Sequence, residues 1–324
     1  MAEELLPPAL RIQHGMIARN IIAIGTSAGG FEAIQTVVSG FPADLQAAVF
    51  ITQHLFERSE GILPEILNRV GVLPALHPWE ETSIRMGTIY VAPPDYHLLL
   101  TPESVHLGHG PKENLQRPCI NTMFRSAAAS HGNRVTGVLL TGLLDDGSAG
   151  LWDIQQHGGA TVVQDPEEAA FRSMPESAIR GLNVQYIVRL AEMAPLLTRL
   201  TMGDKKDFEK PQPSTVTEEL ITQACPECGG VMRMVKLGKL REYSCHVGHR
   251  FGLKTMIAEK GRTIERAIWS ALAQSEELMT LLEEAKPELD PDTAASLQKE
   301  IELRVHEQGA LRKLIERSKT AIDS

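Results

Sequence analysis

Ser27, in "GTSAG" at residues 25–29, stands where a Gly-x-Ser-x-Gly elbow would lift a hydroxyl out of a strand-to-helix turn. A hydroxyl is a weak nucleophile at neutral pH until an imidazole takes its proton and a carboxylate fixes the tautomer of that imidazole. His54, in "ITQHL", and Asp146, in "TGLLDDGSAG", supply those groups. Singly, each has a bland reading: a turn serine capping the next helix, a structural histidine, a turn aspartate before Gly147. Together they compose a hydrolytic triad, Ser27, His54 and Asp146, with the backbone N–H of Ala28 as an oxyanion donor.

A second constellation lies near the C-terminus. Cys225-x-x-Cys228 is followed after 16 residues by Cys245-x-x-x-His249. Three thiolates and an imidazole form the donor set that suits tetrahedral zinc, and four protein ligands close the site, which marks it as structural. His246 is the alternative to His249, and redox chemistry at the CxxC is the alternative to metal. "HLGH" places His106 and His109 close together, but histidines at strand spacing ordinarily just face one side of a sheet. His97 is expected to line the cleft.

The elements that must position these groups follow from the apolar pattern. Short runs rich in Val and Ile, "NIIAIG", "AAVFITQ", "GTIYVA", "VTGVLLTG", "GATVVQ" and "QYIVRL", read as strands, with helix-like stretches such as "GILPEILNRV" and "INTMFRSAAASHG" between them. Alternation of this kind predicts an α/β fold with a doubly wound, mostly parallel sheet in a Rossmann-like three-layer arrangement. Ser27, His54 and Asp146 each follow a strand, so all three arrive at the carboxyl edge where open parallel sheets bind ligands. "TPESVHLGHG" (101–110) reads as a hairpin or insertion.

The expected organisation is an extension over 1–19, a catalytic domain over 20–200, a polar linker over 201–221, a zinc-ribbon module over 222–252 and a helical hairpin over 253–324. In the hairpin, Ile257, Ile264, Ile268, Ala271, Leu278 and Leu282 make one apolar stripe, and Asp290 with Pro291 caps the second helix. Self-packing or dimerisation is the plain reading of this pair.

Other chemistries fit less well. A phosphate-binding P-loop needs a Gly-Lys-Ser/Thr ending that "GTSAGGFEA" lacks. An NAD site would place an acid where Gln53-His54 stands. An ordinary α/β-hydrolase orders its triad Ser, acid, His. The 324 residues carry a formal charge of −9, which argues against general nucleic-acid binding. No apolar run is long enough to span a membrane and the N-terminus has no signal pattern, so a cytoplasmic protein is expected.

The motifs "IGTSAGG", "QH" (53–54), "YVAPPDYHL", "RPCINTMFRSAA", "TGLLDDGSAGL" and "QDPEEAAFRSMPESAI" resemble the catalytic domain of the chemotaxis protein-glutamate methylesterases over about residues 20–195. The resemblance implies Ser27, His54 and Asp146 as the triad, Asp145 as its exposed neighbour, and Leu143 as a second oxyanion donor through its backbone N–H. It implies hydrolysis of glutamyl methyl esters on the cytoplasmic helices of chemoreceptors, often with glutamine deamidation, and no catalytic cofactor. The form it resembles is the receiver-less one, with an expected zinc-ribbon and helical tail through which a kinase or adaptor would dock. The chain departs from the family pattern at Leu143 (usually Met), Leu144 (usually Gly), Asn121 (often Asp) and Ser173 (often Gly). A left-handed backbone at Leu144 would resist a branched side chain, which bears on the course of the loop. Arg117, Arg125 and Arg172 would meet acidic receptor surface or sit in salt bridges. The rival function is a catalytically weak or inactive interaction module.

Overall fold

The computed structural model describes residues 19–55, 57–203 and 216–322. The expected extension over 1–19 falls almost wholly outside these residues, as do 204–215 of the expected linker. The chain forms two compact units that divide between Met256 and Ile257.

The first unit opens with β1 (Ile21–Thr26), α1 (Gly30–Ser39), β2 (Ala48–Gln53), α2 (Leu63–Val70), β3 (Ala75–Leu76), β4 (Glu81–Ser83), β5 (Ile89–Val91), β6 (His97–Leu100) and β7 (Ser104–Gly108). It continues through α3 (Ile120–His131), β8 (Val135–Leu139), α4 (Ser148–Gln156), β9 (Ala160–Gln164), α5 (Ser173–Gly181), β10 (Tyr186–Val188) and α6 (Leu190–Thr201). Seven strands build one parallel sheet in the order β10-β9-β8-β1-β2-β5-β3. The chain winds outward from β1 in one direction, then returns to β8 and winds the other way, so the switch point lies between β1 and β8. Ligands of such sheets bind outside the carboxyl ends of the strands at that point.

Residues on β1, β2, β5, β8 and β9 are buried on both faces, which is why they read as continuous apolar runs. Alternate side chains serve opposite cores. Ile22 and Ile24 pack with Ile34 and Val37 of α1, Leu67 of α2 and Leu197 of α6. Ile21 and Ala23 pack with Met123 and Phe124 of α3, Leu151 of α4 and Ala178 of α5. A one-residue slip of β1 would exchange the two sets, so burial itself fixes the register that brings Ser27 to the rim. The 101–110 segment contributes to an antiparallel hairpin, and β4, β7 and β6 form a small second sheet.

After the undescribed stretch come β11 (Val216–Ala224), β12 (Val231–Leu237), β13 (Leu240–Cys245) and β14 (Arg250–Gly252), an antiparallel sheet in sequence order. Its first strand starts inside the expected linker. The sheet is packed against the catalytic layer: Leu237 is buried in the same cluster as Phe124 and Ala178, with Val235 and Leu240 beside it. Arg125 of α3 bonds Glu242 of β13 at 2.7 Å, as well as Glu113 at 3.0 Å and Asp153 at 3.3 Å. Burial works against the charge of Arg125, but the three carboxylates more than offset it and hold its pKa above the usual guanidinium value.

From β14 the chain enters α7 (Leu253–Ala285), and α8 (Pro291–Ile322) follows. In the second unit these helices pair antiparallel, with Arg312 on Glu276 and Gln308 on Ser275. Asp290 caps α8 by accepting from the N–H groups of Asp292 and Thr293, both at 3.1 Å. The α7 face toward α8 runs through Leu272, Ser275 and Met279, whereas Ile257 and Ile264 of the expected stripe are about two-thirds exposed (64% and 63%). The face toward α8 therefore lies one residue round from the expected stripe, because apolar residues lie on more than one side of this helix.

Candidate active site and metal centre

β1 ends at Thr26, and the next residue is Ser27. Its N–H donates to Thr141 O at 3.0 Å and the N–H of His54 donates to Thr26 O at 3.1 Å, so the three strand ends are knitted together. His54 Nδ1 lies 3.0 Å from Ser27 Oγ and His54 Nε2 lies 2.7 Å from Asp146 Oδ2. A carboxylate only accepts, so Nε2 carries the proton and Nδ1 is left with a lone pair toward the hydroxyl. The ring is used in the sense opposite to the serine-protease arrangement, where Nε2 faces the serine. Gln53 Nε2 donates to Ser27 O at 2.9 Å and to His54 O at 3.1 Å, clamping the backbones of both.

Asp146, in the turn between β8 and α4, is buried with its carboxylate against the N-terminus of α3. Its Oδ2 accepts from the N–H of Ile120 at 2.8 Å, and its Oδ1 from Asn114 Nδ2 at 2.8 Å and the N–H of Asn121 at 3.3 Å. A helix N-terminus offers unpaired donors and a partial positive charge, which suits an ionised carboxylate. Burial pushes the carboxyl up, yet the bonds from His54, Ile120 and Asn114 prevail and bring it down to about 2. The Cys119 thiol, driven well up by burial, stays protonated and lies 3.2 Å from Oδ1.

Among the described residues, the N–H groups of Ala28 and Leu143 donate to no protein atom. Leu144 adopts φ 64°, so the loop keeps a left-handed residue where the sequence offers a branched one. Such a residue costs about 1–2 kcal/mol relative to glycine, small beside the packing that holds the loop. The more demanding position is Gly142: an added Cβ would meet Met174 Cε at 2.5 Å and Ser27 Cβ at 2.9 Å.

Ser27, Ala28 and His54 open on a cavity of about 690 Å³, bordered also by Glu57, Arg58, Lys112, Leu115, Gln116 and Arg117. Arg117 lies on Asp95 at 2.7 Å, Lys112 pairs with Glu57, and Arg58 has no ion-pair partner among the described residues. The mouth therefore carries more cationic than anionic groups.

Two expected placements change, at His97 and Asp145, while the other candidates take their plain alternatives. His97 does not line this cavity; it is buried behind the loop, with Nε2 3.1 Å from Pro111 O, and burial pushes its pKa below the usual histidine range. His106 faces Ser104 and His109 faces Asp95, so "HLGH" assembles no site. Arg125 lies in the ion cluster beneath β13, away from the cleft, and Arg172 pairs with Glu167 and Glu176 on the surface. Asp145 is not exposed. It accepts from the N–H of Lys254 at 2.8 Å and from Thr255 Oγ1 at 2.7 Å, capping the start of α7. Burial pushes its carboxyl up despite these bonds. A Cβ at Gly252 would lie 2.5 Å from Asp145 Oδ2, so the strand must present glycine here. Gln53 and Asn114 have site roles that sequence reasoning missed, and neither carries a motif signal beyond the quoted "QH".

Cys225, Cys228, Cys245 and His249 bring their ligand atoms within 4.8 Å of one another. Cys228 Sγ and Cys245 Sγ are 3.8 Å apart, and His249 Nδ1 is 3.5 Å from Cys245 Sγ and 3.8 Å from Cys225 Sγ. Zinc–sulfur bonds near 2.3 Å and zinc–nitrogen bonds near 2.0 Å give a tetrahedron with S–S edges of about 3.8 Å and S–N edges of about 3.5 Å. The donor set and its spacing therefore fit a tetrahedral ion, and the imidazole that joins the three thiols is that of His249. His246 lies outside the cluster, against Gly230.

A doubly wound parallel sheet with a bonded serine, histidine and aspartate at its switch point defines a class of hydrolase-like α/β proteins. The family model of the CheB methylesterase matches residues 22–197, and the chain belongs to that family. A Leptospira interrogans protein provisionally named protein-glutamate methylesterase/protein-glutamine glutaminase is 37% identical over 184 residues, covering 56% of this chain and 95% of its own. The Methanosarcina mazei protein-glutamate methylesterase/protein-glutamine glutaminase 2 is 33% identical over 190 residues, 56% of this chain and 52% of that protein. Among solved structures, the Thermotoga maritima CheB methylesterase catalytic domain superposes with a TM-score of 0.55 at 25% identity, covering 56% of this chain and 98% of that one.

Proposed function

We propose that this chain is a serine esterase that hydrolyses glutamyl methyl esters on the cytoplasmic helices of chemoreceptors, with deamidation of glutamines as its second reaction. The observation that carries the reading is the bonded relay Ser27–His54–Asp146, at 3.0 and 2.7 Å, on the rim of a cationic cleft in a CheB methylesterase family fold. His54 Nδ1 takes the proton of Ser27 as Oγ attacks the ester carbonyl. The developing oxyanion accepts hydrogen bonds from the N–H groups of Ala28 and Leu143. Collapse expels methanol, which takes the proton back from Nδ1. Water then attacks the acyl-enzyme by the same route, releasing the glutamate carboxylate and restoring Ser27. Asp146 stays ionised and stabilises the imidazolium. Arg58, Lys112 and Arg117 suit a glutamate-rich helical substrate, and such a substrate places the enzyme in the cytoplasm.

A fluorophosphonate probe tests this directly, because only an activated serine reacts with it. The expected product is one adduct per chain on the peptide containing Ser27; a chain that stays unlabelled under turnover conditions refutes the assignment. We further propose that the Cys225–Cys228–Cys245–His249 centre holds one structural zinc ion. Elemental analysis of purified protein should find about one zinc per chain, lost in a Cys228→Ser variant, and iron or no metal would refute it.

A further inference from the structure

Asn114 joins the cysteine module to the proposed triad. It sits in the loop between β7 and α3, is buried, and has φ 50°. Its backbone N–H donates to Arg250 O at 2.7 Å, and its side-chain Oδ1 accepts from the N–H of Gly252 at 2.8 Å. The other end of the same amide, Nδ2, donates to Asp146 Oδ1 at 2.8 Å. β14, which runs from Arg250 to Gly252, begins directly after His249 of the metal cluster.

The remaining donors to Asp146 Oδ1 are longer: the N–H of Asn121 at 3.3 Å and the Cys119 thiol at 3.2 Å. Removing Asn114 leaves that oxygen with weak partners and lets the carboxylate plane turn. Turning misaligns Oδ2, which must stay 2.7 Å from His54 Nε2. A second link runs beside the first, since Asp145 is held by the N–H groups of Lys254 and Thr255, just past β14. Consecutive carboxylates thus take their positions from one short strand of the module, through Asn114, and from the helical turn that directly follows it.

We propose that Asn114 is a positioning residue for the esterase, through which the Cys225–Cys228–Cys245–His249 module sets the orientation of Asp146. It rests on the triad reading above. The consequence is that the state of the metal centre controls the hydrolytic site, although none of its ligands borders the cleft.

The test uses the full chain. Asn114→Gly tolerates the left-handed backbone and removes both side-chain bonds. Its kcat on a methyl ester should fall about tenfold to a hundredfold, the scale of a misplaced catalytic group, with KM within about twofold because Asn114 does not line the cavity. The low-field proton resonance of the His54–Asp146 bond should broaden or move. Asn114→Asp keeps the acceptor for Gly252 but sets a second carboxylate against Asp146, and should be impaired at least as far. Chelation of metal from the wild type should speed hydrogen exchange at the Gly252 amide, move the same resonance and lower kcat to a similar degree; in Asn114→Gly it should lower kcat little further.

Wild-type kcat and an unmoved resonance in Asn114→Gly would overturn the proposal, as would chelation that frees Gly252 yet leaves kcat and the resonance unchanged. Persistent activity in Ser27→Ala is a separate outcome: it removes the triad reading itself.

Discussion

Ser27→Ala is expected to lower ester turnover by about a millionfold, the scale seen when the nucleophile of a serine hydrolase is removed. Alanine leaves no oxygen 3.0 Å from His54 Nδ1, so no acyl-enzyme forms. The fold should survive, because among the described residues the serine side chain bonds only His54. The contacts that shape the elbow are backbone ones, Ser27 N–H to Thr141 O and Gln53 Nε2 to Ser27 O. Methanol release from a methylated receptor fragment, measured beside a thermal melt, decides the matter. Undiminished release from a normally melting variant would mean that the serine is a turn residue after all.

The second large effect is at Asp146. Asp146→Asn should reduce kcat by about ten-thousandfold while leaving the chain folded, since an amide facing Nε2 favours the tautomer with its proton on Nδ1, pointing at the serine. With its NH2 in the place of Oδ2, the amide also sets a donor against the N–H of Ile120, which needs an acceptor, while its carbonyl oxygen still serves Asn114 and Asn121. The aspartate itself makes a pH-dependent contribution to stability. Its folded pKa of about 2 lies below the ordinary carboxylate value of 3.8, so that contribution is complete above the unfolded value and fades as pH falls through about 2. Acid unfolding of wild type and variant should converge in that window. A variant within tenfold of wild-type kcat would show that the carboxylate is not needed to set the tautomer.

The parts of the fold legible in the sequence are those where one local pattern carries the answer. β1, β2, β8 and β9 are buried on both faces, so their apolar runs identify them. The turns that follow β1, β2 and β8 bring Ser27, His54 and Asp146 together by topology alone. β11 was hidden because nearly all of its residues are exposed, which leaves "VTEELITQA" no face to pattern. Helix α6 carries Pro195 in its interior, a residue that ordinarily argues against a helix. Asn114 and Asp145 were illegible as site residues for a different reason. Asn114 reaches Asp146 from a loop without a motif, and the partners that hold Asn114 and Asp145 in place lie more than 100 residues downstream, at Gly252, Lys254 and Thr255, where no spacing rule reaches. Leu144 shows the opposite limit: the residue type argues against a left-handed turn, yet the packed loop imposes it.

The ion cluster around Arg125 bears on how such chains can be recombined. Glu113 and Asp153 come from the parallel-sheet layer, whereas Glu242 comes from the cysteine-bearing sheet, and a guanidinium stripped of one buried anion is left undercompensated. The cysteine-bearing sheet is therefore not an interchangeable cassette. Grafting it onto another hydrolase would require the recipient to carry a cation at the Arg125 position and an acid at the Asp145 position, so inheritance of the two pieces is expected to be joint.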